Sequence, residues 1–413
     1  MKPLEIAKDI YSVGVKDWNV RNFHGYLTQR GSTYNAYLII DEKVTLIDTV
    51  KAPFCEEFLE RISRVIDLSK IDYVISNHVE QDHAGCMPQI MAHLPNATVL
   101  TTAAAEKEHK MHYDTSKWKV QTVKTGDTVS IGKRSLTFLT TPMVHWPDNM
   151  LTYCPEDKIL FSNDAFGQHL AVSENFDDEL SLDLILSEAK KYYANIVMPY
   201  SSQVATALNA AAGLDIKMIA PGHGMIWRKN IPAILENYTK WSRGDMEKKA
   251  VIVFDSMWHS TESIAYAVRN AFEQKDYSFR FFDLKANHIS DVITDCLDAE
   301  YICVGSPTLN KNIMPSVAAM LTYIQGLICK GKKGVLFGSY GWAPLNMKFM
   351  QRYFDESYIE TIAKYNINFV PTKEELAKRI AAEEVEVPEE EEPQQPETPG
   401  ETERETPTPE VSE

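Results

Sequence analysis

Four side chains able to bind a metal, His78, Glu80, Asp82 and His83, fall within six residues in the stretch Asn77-His78-Val79-Glu80-Gln81-Asp82-His83-Ala84-Gly85. Imidazole nitrogens and carboxylate oxygens are the donors that zinc, manganese and non-haem iron accept. A single ion would rarely need all four. Three later positions supply further ligands: His145 in Thr141-Pro142-Met143-Val144-His145-Trp146, Asp164 in Phe161-Ser162-Asn163-Asp164-Ala165, and His223 in Ala220-Pro221-Gly222-His223-Gly224. Seven ligands from four loops suit two metals that share one carboxylate, Asp164, with a vacant position on each metal for substrate. An isolated His-x-Glu is explained as well by hydrogen-bonded core residues. Four ordered pieces are not.

A second group of polar loops lies further on. Asp255-Ser256-Met257-Trp258-His259-Ser260-Thr261-Glu262 places three hydroxyls and several backbone amides at a helix N-terminus, which is a built-in anion site. Taken alone it reads equally as a Ser/Thr helix cap. Gly305-Ser306-Pro307-Thr308-Leu309-Asn310 and Ser339-Tyr340-Gly341-Trp342 follow the third and fourth buried runs of the same half.

Every one of these pieces must be held by something rigid. The metal pieces each follow a short apolar run, such as Ile71-Asp72-Tyr73-Val74-Ile75-Ser76 before His78 and Ser135-Leu136-Thr137-Phe138-Leu139 before His145, so strand ends deliver them. Residues 10 to 48 read as opening strands, Pro53 begins a helix with the apolar stripe Phe54, Phe58, Ile62 and Val65, and helices are predicted over 103–112, 178–194 and 202–212. His109 and His112 share a face of the first of those three helices and are expected to be structural or exposed. From Ala250 the rhythm changes. Four buried runs, Ala250–Phe254, Phe279–Phe282, Tyr301–Val304 and Gly334–Phe337, alternate with helices, which predicts a parallel doubly wound sheet with its ligand beyond the C-terminal strand ends.

Composition narrows the possibilities. A chain of 413 residues should hold about two domains. Of the formal charge of −16, thirteen Glu and one Arg from Glu383 onward carry −12, which leaves only −4 for the folded part. No nucleic-acid footprint and no basic membrane face is visible. The first residues lack the apolar core of a signal peptide, and no apolar run approaches the ~20 residues of a membrane span, so a cytoplasmic protein is expected. The six cysteines form no Cys-x-x-Cys pair and predict neither a thiolate metal site nor a disulfide framework; Cys86 is read as a small buried hydrophobe. The Glu, Pro and Thr segment after Glu383 cannot bury enough surface to offset chain entropy and is expected to be disordered.

The order His-x-Glu-x-Asp-His, then His, Asp and Gly-His, resembles the metallo-β-lactamase fold, and Glu80 in place of the His usual in hydrolases is similar to the flavodiiron proteins. Arg21-Asn22-Phe23-His24-Gly25-Tyr26, His145-Trp146-Pro147-Asp148 and Ser162-Asn163-Asp164-Ala165-Phe166-Gly167 agree, and the resemblance covers residues 1 to about 385. It implies an α/β and α+β chain in three parts: a metallo-β-lactamase-like αββα sandwich over 1–247, a flavodoxin-like FMN domain over 248–384, and the acidic tail 385–413.

Two irons are expected, the first held by His78, Glu80 and His145, the second by Asp82, His83 and His223, with Asp164 on both. His24 and Tyr200 match family positions just behind the metal ligands, and the resemblance implies them as proton donors. FMN would be held by Ser256, Met257, Trp258, His259, Ser260 and Thr261, by Pro307, Thr308, Leu309 and Asn310, and by Ser339, Tyr340, Gly341 and Trp342. One departure is Ala343-Pro344-Leu345-Asn346, where the family pattern is small and glycine-rich.

The implied reactions are reduction of dioxygen to water and of nitric oxide to nitrous oxide. The resemblance also implies a head-to-tail homodimer or dimer of dimers. Electrons would come from a separate rubredoxin-like carrier or a reduced deazaflavin, since no Cys-x-x-Cys module follows residue 385. Two rival readings are a binuclear zinc hydrolase fused to a flavodoxin and an electron carrier with a vestigial metal half; the complete ligand set speaks against the second.

Overall fold

The computed structural model describes residues 2–327 and 331–382. The acidic segment 385–413 and Cys329 lie outside the described residues. In the first half a seven-stranded sheet runs in the order Leu4–Ala7, Ile10–Ser12, Tyr37–Ile39, Val44–Ile47, Ile71–Ile75, Thr98–Thr101, Lys119–Thr122. It faces a five-stranded sheet in the order Thr128–Ser130, Ser135–Thr140, Met150–Cys154, Ile159–Asn163, Met218–Pro221.

Side chains that alternate along a strand build both layers of core. Ile47, Ile75 and Leu100 meet Phe138 and Phe161 between the sheets. Their chain neighbours Leu46, Val74 and Val99 point outward onto Phe58 and Ile62 of the helix Cys55–Ser63. On the second sheet Leu151, Leu160 and Ile219 face the helices Leu182–Tyr192, Ser201–Ala211 and Ile231–Arg243. Helices thus cover both outer faces, as an αββα sandwich requires.

The second half is a parallel sheet in the order Ser278–Asp283, Glu247–Phe254, Ala299–Gly305, Lys333–Tyr340, Glu360–Asn368. This is a doubly wound order whose direction of winding reverses between Glu247–Phe254 and Ala299–Gly305, where ligands of such sheets bind. The fifth strand is absent from the sequence reading. It sits at the sheet edge, where Lys364, Asn366 and Asn368 alternate with the buried Tyr365 and Ile367, so it carries no continuous apolar run like those of the other four strands. Among the described residues no helix is long and apolar enough to cross a membrane.

The two halves share one apolar cluster, in which Ile185 and Ala189 pack with Val292 and Ile293. Polar contacts reinforce it. Lys191 Nζ donates to Asp291 at 2.5 Å, Asn195 Nδ2 to the Ser290 carbonyl at 3.1 Å, and Tyr323 OH to Asn195 Oδ1 at 2.7 Å. Asp298 accepts from both Lys190 and Lys249.

One sequence expectation is corrected here. Cys55 and Cys86 form a disulfide across 31 residues. The helix Cys55–Ser63 starts beside the junction of Gln81–Ala84 and Met87–His93, so the fold brings together two cysteines that no local spacing relates. His109 is structural, as expected. It is buried, with Nε2 3.0 Å from Ser76 Oγ and Nδ1 without a partner.

Burial lowers the His109 pKa from 6.5 to about 4. A group whose folded pKa is depressed supports the fold fully above its unfolded value and loses that support as pH falls toward the folded one. Between pH 6.5 and 4 the native protein should therefore lose on the order of 2–3 kcal/mol relative to His109→Phe. Urea unfolding of both proteins across that range measures it, and a constant difference between them would remove His109 as the cause.

Candidate metal centre and flavin pocket

All seven predicted ligands converge at the C-terminal ends of four strands. His78 follows Ile71–Ile75, His145 follows Ser135–Thr140, Asp164 follows Ile159–Asn163 and His223 follows Met218–Pro221. Glu80 precedes, and Asp82 and His83 lie within, the short helix Gln81–Ala84. Their donor atoms form two groups, His78, Glu80, His145 and Asp164 in one and Asp82, His83 and His223 in the other, with the atoms of each group within 4.8 Å of one another.

Asp164 joins the groups through its two oxygens. Oδ1 lies 2.9 Å from His83 Nε2 and 3.3 Å from His223 Nε2, while Oδ2 lies 3.3 Å from His145 Nε2 and 3.5 Å from His78 Nε2. Glu80 Oε2 sits 3.1 Å from His145 Nε2, and Asp82 Oδ2 sits 3.2 Å from His223 Nε2. The structure thus gathers His78, Glu80 and His145 on one side of Asp164 and Asp82, His83 and His223 on the other.

Charges in this pocket depend on one another. Burial alone would lower the His145 and His223 pKa values, yet the facing carboxylates of Asp164 and of Glu80 or Asp82 outweigh it and hold them at about 9 and about 10. Burial pushes the Glu80, Asp82 and Asp164 carboxyls up, and the facing imidazoles pull all three below the ordinary range, Glu80 and Asp164 well below it. Asp82 Oδ1 and Asp164 Oδ2 are buried without a hydrogen-bond partner. Three carboxylates, four imidazoles and two orphaned oxygens fit a pair of divalent cations, which would replace the protons the histidines otherwise need.

Several residues that orient the ligands are given no such role by the sequence reading. Asp148 holds His78 Nδ1 at 2.9 Å and accepts from the Val79 N–H at 2.7 Å, which leaves Nε2 free for a metal. The Thr33 carbonyl holds His223 Nδ1 at 2.6 Å in the same way. Asp48, buried and at φ 57°, accepts from the Asn77 N–H at 2.8 Å, from Asn77 Nδ2 at 3.0 Å and from Asn163 Nδ2 at 3.1 Å, thereby tying the loops that carry His78 and Asp164.

Of the two implied proton donors, one joins the site. His24 Nε2 is 3.0 Å from Glu80 Oε1, and this hydrogen bond raises the His24 pKa. Tyr200 precedes the helix Ser201–Ala211, and no contact among the described residues ties it to either ligand group. Tyr192 faces the site instead, its ring 5.9 Å from that of His223 and 5.1 Å from that of His169. The Trp146 ring stands edge-on to His78 at 5.1 Å, as a wall.

The second-half loops border a cavity of about 720 Å³. Met257, Trp258 and Ser260 line it from the first loop, Pro307, Thr308, Leu309 and Asn310 from the second, and Ser339, Tyr340, Gly341 and Trp342 from the third. Ser256, His259 and Thr261 do not. Ser256 is buried with its N–H on Asp255 Oδ1 at 2.7 Å, Thr261 turns inward to Ser339 Oγ at 2.9 Å, and the exposed His259 ring pairs with Glu262 at 2.5 Å. Phe369 and Val370, directly after the unforeseen fifth strand, add a wall that the sequence reading lacks.

Trp258 and Trp342 are 86% and 94% exposed beside this cavity. Two large apolar rings left in water next to a helix N-terminus fit a planar aromatic group carrying a phosphate, as FMN does. The departure at Asn346 has a structural reason. Its buried side chain donates to the Ser306 carbonyl at 2.7 Å and to Asn366 Oδ1 at 3.2 Å, which ties the second and third loops together.

A two-metal centre in a metallo-β-lactamase-like sandwich, joined to a flavin-type doubly wound domain, defines a metal- and flavin-dependent redox protein. Residues 33–224 match the family described as ODP family beta lactamase, and residues 252–382 match the flavodoxin family. The chain is 45% identical to the nitric oxide reductase of Moorella thermoacetica, over 92% of this chain and 98% of that one. It is 40% identical to the rubredoxin-oxygen oxidoreductase of Megalodesulfovibrio gigas, over 85% of this chain and 88% of that one. Among solved structures, the flavodiiron protein from Giardia intestinalis superposes with a TM-score of 0.90 at 38% identity, over 92% of this chain and 95% of that one. The chain belongs to the flavodiiron protein family.

The division of ligands sets an order of metal loss. His83→Ala should deplete mainly the metal held with Asp82 and His223, whereas Asp164→Ala weakens both. Iron per chain, measured after purification, is expected to fall further in the Asp164 variant; equal loss in the two would mean that the centre assembles as one cooperative unit.

Proposed function

We propose that the protein reduces dioxygen to water, nitric oxide to nitrous oxide, or both, using FMN, two irons and electrons from a separate carrier. The observation that carries this reading is the split of Asp164, one oxygen toward His83 and His223 and the other toward His78 and His145, in a chain that also holds a flavin-sized cavity. The names of the relatives, one for nitric oxide and one for oxygen, support both substrates.

When bound, the irons would supply electrons and open coordination positions, held by His78, Glu80, His145, Asp82, His83, His223 and Asp164, while FMN would relay electrons singly. The chain's own residues prepare the rest. His24, its side chain 74% exposed, can take a proton from water at Nδ1 and present one at Nε2, where Glu80 Oε1 orients it. Burial keeps the Tyr192 phenol protonated, so it acts as a hydrogen-bond donor rather than a base. Trp146 and Phe23 line the approach with apolar rings, Phe23 at 4.6 Å from the His24 ring, and limit water there.

This reading also includes a head-to-tail dimer, or a dimer of such dimers, in which one protomer's FMN serves the other's irons, and a rubredoxin-like or deazaflavin donor in the cytoplasm. The exposed Trp258 and Trp342 support it, because a partner surface would cover them.

Anaerobic stopped-flow tests the reaction. The flavin is reduced with rubredoxin or with reduced deazaflavin, then mixed with oxygen or nitric oxide, and rapid flavin reoxidation by at least one gas is expected. Protein that holds two zinc ions per chain and reoxidises with neither gas would return the hydrolase reading. Mixing a His145→Ala chain with an Asn346→Ala chain tests the dimer. Subunit exchange should restore activity at one crossed site, and no recovery despite confirmed exchange would sink the arrangement.

A further inference from the structure

Neither ligand group nor the flavin loops use the other large cavity of the molecule, about 650 Å³ between the outer face of the second sheet and the helices Ser201–Ala211 and Ile231–Arg243. Leu151 and Leu160 of the sheet and Leu208 and Leu235 of the helices line it, together with Val144 and Phe166. Val144 adjoins the ligand His145, and Phe166 lies two residues beyond Asp164.

Charge on the wall has one sign. In a chain of formal net charge −16, no Asp or Glu lines the cavity, and its two charged residues among those described are Arg228 and Lys229, both exposed. Arg228 is already engaged, donating to Asp178 at 2.8 Å and lying 3.7 Å over the Phe176 ring. The Lys229 ammonium has no hydrogen bond or salt bridge among the described residues.

We propose that this cavity binds an amphipathic carboxylate of the fatty-acid type, its alkyl chain along the leucine walls and its carboxylate at Lys229. The volume lies within the range of roughly 300–1,000 Å³ typical of small-molecule sites. Burying methylene groups against Leu151, Leu160, Leu208 and Leu235 supplies affinity, because it removes apolar surface from water on both sides. The Lys229 ammonium selects the head group: an anion gains an ion pair at the mouth, whereas a cation meets like charge there.

Isothermal titration of the metal- and flavin-loaded protein with dodecanoate, kept below its micellar concentration, tests the proposal. One saturable site per chain is expected, with dodecyltrimethylammonium binding at least about tenfold more weakly. Lys229→Glu should reverse that order, and Ala207→Trp, which fills the cavity, should abolish dodecanoate binding while iron content and thermal midpoint stay at the parent values. Should Ala207→Trp not fold, Leu208→Glu places a carboxylate on the wall and is expected to exclude dodecanoate alike. Absence of saturable dodecanoate binding, equal binding of the two amphiphiles, or binding untouched by both wall variants would overturn the proposal. So would a change of oligomeric state in the wall variants, since a second copy of the chain would then be the occupant.

Discussion

Three carboxylates and four imidazoles packed out of water form an arrangement that cannot exist unless their charges balance. Each buried Asp or Glu here faces at least one histidine nitrogen within 3.3 Å, and those carboxylates raise the pKa of all four histidines when nothing else neutralises the acids. Much of the surrounding framework serves to keep that balance in place. Asp48 and Asp148 add two more buried carboxylates behind the ligands, but theirs are engaged by Asn77, Asn163, Val79 and His78, so they fix ligand direction.

Strand topology explains why the ligands meet at all. A parallel or mixed sheet delivers successive loops to one end, and stacking two sheets brings loops from both to the same rim. His78, Glu80, Asp82 and His83 come from the first sheet, and His145, Asp164 and His223 from the second. The centre therefore sits on the seam of the sandwich, and any slip of one sheet against the other would separate Asp164 from half its partners. The buried Ile47, Ile75, Phe138 and Phe161 layer is what prevents that slip.

The ligand set was legible in the sequence because each member follows an apolar run and belongs to a type with few other reasons to be buried. Supporting residues were less so. Tyr192 and Tyr200 are indistinguishable by composition, and the π-helical turn Tyr193–Val197 between them breaks the helical phase by which a reader would choose. The Cys55–Cys86 pairing and the Phe369 wall depend on contacts across 31 residues and on an edge strand with a mixed pattern, respectively, which only tertiary packing resolves. Loops such as Ser339–Trp342 were legible as a group, but which hydroxyls face the cavity was not, since Thr261 satisfies itself against Ser339.

The seam between the halves has a mechanical consequence. Asp298 gripped by Lys190 and Lys249, Asn195 bonded to both Ser290 and Tyr323, and a shared apolar core leave no place for a hinge. Carriers that ferry electrons by swinging a tethered module pay a rate penalty in viscous solvent, because the swing must push water aside. Here the flavin half is welded to the metal half, so no such stroke occurs within the chain. Solvent friction can then enter turnover only where a separate molecule arrives or leaves.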